Sequence, residues 1–192
     1  MSMARFIAAL LLAPLLSACW MTKEPLIGTD NASQVGFAGP YRPDGHDVEV
    51  RAEHNSDGSY RLTDGKEGFT AFYREVAPGW YLVQLNFRAF VTDVEQSGGA
   101  DGTFKITVPE GDGPWLYNLV HVGDDALRFY RVTCDPATKA IPGVTNEQSA
   151  DELFDVCTFP GMTGLEQAAF ETIDRVGKGT FAGETNVMKT IR

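Results

Sequence analysis

The chain has 192 residues, 43% of them hydrophobic and 22% charged, with 26 acidic against 16 basic side chains and a formal net charge of −10. Its hydrophobic fraction is that of a folded globular protein, and its length suits one domain with a real core rather than a disordered tail or a multidomain assembly. The acidic balance repels phosphate backbones and anionic lipid head groups, which argues against nucleic acid as a partner.

At the N-terminus Arg5 is the only charge before an apolar run from Phe6 to Leu16, followed by the small pair Ser17 and Ala18. That is the order of an export signal: a basic start, an apolar middle and a small-residue cleavage site. A membrane-spanning helix would need about 20 apolar residues, and this run is shorter and contains Pro14. The remaining alternative is a plain signal-peptidase site that leaves Cys19 unmodified. Leu16-Ser17-Ala18-Cys19 resembles the lipobox of bacterial lipoproteins at all four positions. The resemblance covers the first nineteen residues only. It implies that residues 1–18 are a signal peptide, and that Cys19 becomes the first residue, carries diacylglyceryl and N-acyl chains such as palmitate, and holds the chain to a membrane. Several acyl chains on one residue anchor stably where one is marginal. In enteric lipoproteins an Asp after the cysteine retains the protein at the inner membrane; Trp20 stands there, which favours the periplasmic face of the outer membrane. Cleavage removes one base and no acid, leaving 15 basic and 26 acidic residues and a net charge of −11.

Residues 19–36 are polar, rich in small residues and without period, and read as a lipidated N-terminus and flexible tether. Asn31-Ala32-Ser33 matches a glycosylation acceptor only coincidentally, given the bacterial signal. Residues 37–192 form the predicted single β-rich domain. In the run from His46 to His54, Val48, Val50 and Ala52 alternate with Asp47, Glu49, Arg51 and Glu53, the pattern of a half-buried strand. Asp57-Gly58 makes a turn that tolerates positive φ, and Tyr60 and Leu62 face inward on the next strand. Further strands are expected at Phe69–Arg74, Trp80–Phe90 and Thr103–Val108, then a hairpin of Trp115–Val122 and Ala126–Val132. About seven to eight strands with short connections predict a mainly β (α+β) fold, a curled antiparallel meander or small barrel.

After Cys134 the period changes. Ser149-Ala150-Asp151-Glu152 has capping-box spacing and suggests a short helical turn. Thr163-Gly164-Leu165-Glu166 has it too, and precedes Leu165, Ala169, Ile173 and Val176 on one helical face with Phe170 beside them and Gly177 as the stop. This C-terminal helix is the predicted cover for the sheet. The last fifteen residues, with Phe181 and Val187-Met188, suit a final strand or a loose tail. In an oxidising compartment Cys134 and Cys157 form an even pair and read as a disulfide; two buried thiols, or half of a metal site, are the alternatives.

Chemistry is hard to find. There is no nucleophile elbow, zinc-protease helix, Walker loop or dinucleotide fingerprint. His46 and His54 lie about 26 Å apart if one strand joins them, and His121 belongs to another strand, so no metal or cofactor is expected. Asp93-Val94-Glu95-Gln96-Ser97-Gly98 resembles the first half of a calcium loop, but Phe104 occupies the position of the defining Glu. Asp44, Glu49 and His46 would serve hydrolysis only if they converged in a cleft. The most informative pattern spans two strands: Trp80, Gln84 and Asn86 on one, and Trp115, Tyr117 and His121 on the other, give aromatic-plus-polar faces suited to a ligand or partner. The blander reading, and the favoured one, is that both faces are partly buried, one by the rest of the sheet and the other by the C-terminal helix. The expected function is a non-enzymatic, membrane-anchored envelope module that binds another envelope protein. The alternatives are a lipocalin-like carrier of a small apolar ligand, for which Gly36-Phe37 and Gly39-Pro40-Tyr41 poorly match the family's first-strand motif, and an enzyme inhibitor presenting the loop Pro109–Pro114.

Overall fold

A computed structural model describes residues 20–65, 68–86, 114–148, 155–183 and 185–191. Among them are eleven strands: β1 (Trp20–Thr22), β2 (Tyr41–Pro43), β3 (Arg51–His54), β4 (Tyr60–Thr63), β5 (Gly68–Ala77), β6 (Trp80–Asn86), β7 (Trp115–Val122), β8 (Ala126–Tyr130), β9 (Thr145–Gln148), β10 (Asp155–Thr158) and β11 (Thr185–Thr190). Two helices accompany them, the short α1 (Pro136–Lys139) and the long α2 (Met162–Gly177). The fold is mainly β with one substantial helix near the C-terminus, as the alternation and the change of period predict.

Eight strands follow the order β2-β11-β8-β7-β6-β5-β4-β3, each antiparallel to its neighbours. The sheet nearly closes on itself. Tyr41 in β2 and Val50, just before β3, exchange backbone hydrogen bonds of 2.8 and 2.7 Å, so the first and last strands of the path meet. The hairpin turns follow the local chemistry: Gly58 and Gly79 sit at φ +85° and +74°, where a side chain is strained. A Cβ on Gly79 would also lie 3.3 Å from the Val122 carbonyl.

Strand alternation separates two apolar cores. Inside the barrel Tyr41, Val50, Tyr60, Leu62, Tyr73, Val83, Leu85, Val120 and Leu127 pack together, with Phe37 meeting Tyr41, Tyr60 and Tyr73 edge-on at 6.3, 5.1 and 5.6 Å. Outside it, Leu82, Tyr117, Leu119 and Tyr130 pack against Trp20, Phe159 and the helix residues Leu165, Ala168 and Ala169. Cys134 and Cys157 form a disulfide with an S–S distance of 2.00 Å, binding the chain after β8 to β10. The Arg74–Glu166 ion pair at 2.9 Å fastens α2 to β5.

The segment expected to be a tether is built into the fold. Trp20 opens a strand that pairs antiparallel with β7 and parallel with β10. Trp20 and Ile27 enter the outer core, whereas Val35 enters the inner one. Three isolated plugs leave no period, so composition alone reads as linker. Their backbone is satisfied from elsewhere: Ser33 N–H donates to the Tyr73 carbonyl at 2.7 Å, and Val35 N–H to the Tyr60 hydroxyl at 3.0 Å.

Other differences are local. His46 does not share a strand with His54: its N–H donates to the Pro43 carbonyl in a turn, and β3 begins only at Arg51. Val48 and Ala52 still pack on the inner core with Val50. Strand β8 ends at Tyr130 rather than Val132. Helix α2 starts after Gly161 with no side-chain cap, and Thr163 lies within it. Its buried stripe is Leu165, Ala168, Ala169 and Thr172, while Phe170 is 51% exposed, because α2 rests on the sheet through its small residues. Gly177 is the last helical residue, and the left-handed glycine is Gly179 at φ +68°. The last residues form the final strand, β11, between β8 and β2. The expected strand at 103–108, residues 87–90 and the helical turn at 149–152 lie outside the described residues.

Candidate functional site

The six face residues come together as the alternation predicts. Antiparallel register sets Trp80 opposite His121, Gln84 opposite Tyr117 and Asn86 opposite Trp115. All six therefore share the outer side of β6 and β7, with Leu82 and Leu119 between them.

The middle of that face is occupied by the chain itself. Gln84 is 1% exposed. Its Oε1 accepts hydrogen bonds from Leu26 N–H at 2.7 Å, Ile27 N–H at 2.8 Å and the Tyr117 hydroxyl at 2.5 Å. Its Nε2 donates to the Ile27 carbonyl at 2.6 Å. The Tyr117 oxygen also accepts from Leu26 N–H at 3.0 Å and from the Thr22 hydroxyl at 3.2 Å. Burial raises the Tyr117 hydroxyl pKa, against hydrogen bonds with Thr22 and the Leu26 backbone that lower it. Gln84 thus acts as a strand-like edge for the strap of residues 20–36, and the donors and acceptors expected to meet a ligand meet Leu26 and Ile27. Gln84 and Tyr117 are therefore covered by the strap and hydrogen-bonded to it.

The two ends are half-buried. At one, Trp80 packs at a tilt between His121 and Tyr130 at centroid distances of 4.7 and 5.0 Å, and Tyr130 continues to Phe181 at 5.6 Å. Burial lowers the His121 pKa, the Arg128 charge lowers it further, and Asp125 works the other way. Asp125 and Arg128 are joined by two hydrogen bonds of 2.8 and 3.2 Å. At the other end stand Asn86 and Trp115, the latter opposite Thr22 of β1. An open cavity of about 310 Å³ lies beside the strap, lined by Thr22 to Leu26 without Pro25, by Gly143 and Thr145, and by Thr158 to Pro160.

Comparison with family models, curated proteins and solved structures found no match. The chemistry must therefore be read from the residues. Asp44 pairs with Lys189 at 2.8 Å and Glu49 with Arg51 at 2.6 Å, so the carboxylates considered for hydrolysis each hold a different base. Among the described residues no group of three or more His, Cys, Asp and Glu is placed to hold a metal ion. No helix among them is long and apolar enough to cross a membrane. Cys19, the calcium-like loop 93–98 and residues 109–113 lie outside the described residues.

Composition also hid a feature of the barrel interior. Tyr73, Val83 and Asn118 form one register row across β5, β6 and β7, and all three point inward. Among the described residues the Tyr73 hydroxyl and Asn118 Nδ2 are buried without hydrogen-bond partners, as is the Trp115 indole nitrogen on the outer face. Burial raises the Tyr73 hydroxyl far above the ordinary tyrosine range, with Tyr60 and Tyr41 adding to it. The sequence signal was Asn118 itself, a polar residue in the inward series Leu116, Asn118, Val120.

Proposed function

We propose that this chain is a non-enzymatic module of the bacterial envelope, anchored by lipid on Cys19, that acts through its surface. The observation that carries the reading is the Cys134–Cys157 disulfide. Such bonds persist in oxidising compartments and are rare in the cytosol, which agrees with the export signal and lipobox before Trp20. The packing supports action by surface rather than by lumen. Tyr41, Val50, Leu62, Tyr73, Val83 and Leu127 have no exposed surface, so the described interior is filled by side chains. Intact-mass measurement and membrane fractionation of the full chain test the anchor. Acyl mass on Cys19, and release into the soluble fraction on Cys19→Ser, are expected; a soluble, unacylated wild type refutes it.

A second reading, a carrier of a small apolar ligand, is favoured by the nearly closed eight-strand path. It requires binding of an apolar fluorescent probe such as 1-N-phenylnaphthylamine at low micromolar concentration. The surface reading expects no saturable signal.

A further inference from the structure

We propose that the lipid on Cys19 holds the domain wall-on against the bilayer with no spacer, so that the β1 side of the barrel faces the head groups. This rests on the anchoring reading above, but its geometry has separate support. Trp20 is one peptide bond from Cys19 and has no exposed surface. Its backbone lies between Tyr117 of β7 and Cys157 of β10. Its indole N–H donates to the Thr133 carbonyl at 3.0 Å, and its ring meets Phe159 edge-on at 5.7 Å. Cys157 is itself bonded to Cys134. The first residue after the acylated one is therefore a fixed part of the wall.

Consecutive α-carbons are about 3.8 Å apart, whereas a flexible spacer of about 20 residues would give a reach of roughly 25 Å. Here the spacer has no residues at all. The side that meets the membrane follows from topology. In the eight-strand path β7 is fourth and β3 eighth, and the Tyr41–Val50 bridge brings the ends together, so β3 lies across the barrel from β7. The wall carrying β1 and Thr133 then faces the bilayer, and the wall carrying Arg51 and Glu53 faces water. Reach is the functional consequence. The domain meets molecules in or on its own membrane and does not swing toward distant ones. Lipid attachment also needs no attraction between its acidic surface and anionic head groups.

The test uses the full chain, produced with its own signal and reconstituted in phosphatidylcholine vesicles that carry nitroxide on some head groups. A fluorescent non-natural residue replaces either Thr133 or Glu53, both exposed, which leaves the disulfide undisturbed. Should the Thr133 variant fail to fold, exposed Ala137 on α1 takes the label, since α1 packs on Thr133 through the Thr138 hydroxyl, 3.4 Å from its carbonyl. The expected result is acyl mass on Cys19, quenching several-fold stronger at the near wall than at Glu53, and loss of that contrast when a 20-residue Gly/Ser insert separates Cys19 from Trp20. Equal quenching at both walls of the acylated chain overturns the wall-on geometry and leaves the anchor standing. Absence of acyl mass removes the anchor and this inference together.

Discussion

Replacing Gln84 with leucine tests whether its side chain holds the strap to the barrel. The volume is nearly kept, but the Ile27 N–H and carbonyl lose partners at 2.8 and 2.6 Å. Leu26 N–H keeps the Tyr117 oxygen at 3.0 Å, so it counts for less. The two Ile27 groups left unpaired cost about 1–3 kcal/mol each, and added apolar burial returns roughly 1, so a net loss of about 1–5 kcal/mol is expected. At an m-value of about 2 kcal/mol/M in urea, the midpoint should fall by roughly 0.5–2.5 M. Hydrogen exchange should show lost protection at Leu26 and Ile27 before the strands β5 to β8 open. A Gln84→Leu protein as stable as wild type, with both amides still protected, would falsify the clamp and leave the strap held by the β1 pairing, the Ser33 and Val35 hydrogen bonds and the burial of Trp20 and Ile27.

Tyr73→Phe supplies the contrast: the hydroxyl it removes has no partner, so stability should change by less than about 0.5 kcal/mol or rise, and a fall above about 1 kcal/mol in urea unfolding would reveal a bond to that oxygen. Removing both cysteines of the Cys134–Cys157 bridge, which spans 23 residues, should cost about 3 kcal/mol in the chain-entropy model; coincident urea curves for the double alanine variant and the oxidised wild type would contradict this. Acid should also weaken the fold through Asp135. Burial raises its pKa, but hydrogen bonds from Arg175 and Thr138 outweigh that and the net direction is down. A carboxylate with its folded pKa depressed adds stability that is present above its unfolded pKa of about 3.9 and is lost as pH falls through the folded value. Urea midpoints of Asp135→Asn and wild type should therefore differ at neutral pH and converge progressively as the pH is lowered below about 3.9; a constant gap would assign the effect to packing.

Much of the barrel could be read from alternation because its strands carry their burial locally. Val48, Val50 and Ala52, then Tyr60 and Leu62, then Tyr81, Val83 and Leu85 each turn every second residue to the same core. Period two also brought Trp80, Gln84, Asn86, Trp115, Tyr117 and His121 to one side of the sheet. It could not say what lies on top of them. A polar side chain facing out of a strand has the same sequence signature whether it meets a ligand, water or another part of the chain, and Gln84 meets residues 26 and 27, nearly sixty positions earlier. The strap was the least legible element for the same reason, since Trp20, Ile27 and Val35 bury themselves singly, without a period.

By itself the sequence determined the β-rich class, the turn at Asp57-Gly58, the helix that carries Leu165 and Ala169 and the even cysteine pair, all of which follow from short-range periodicity, backbone preference or count. Only the tertiary structure decided that the sheet nearly closes through Tyr41 and Val50, that residues 26 and 27 lie on Gln84, and that Trp20 is part of the wall. Those are contacts between distant segments, and their strength comes from burial and from hydrogen bonds that no local window contains.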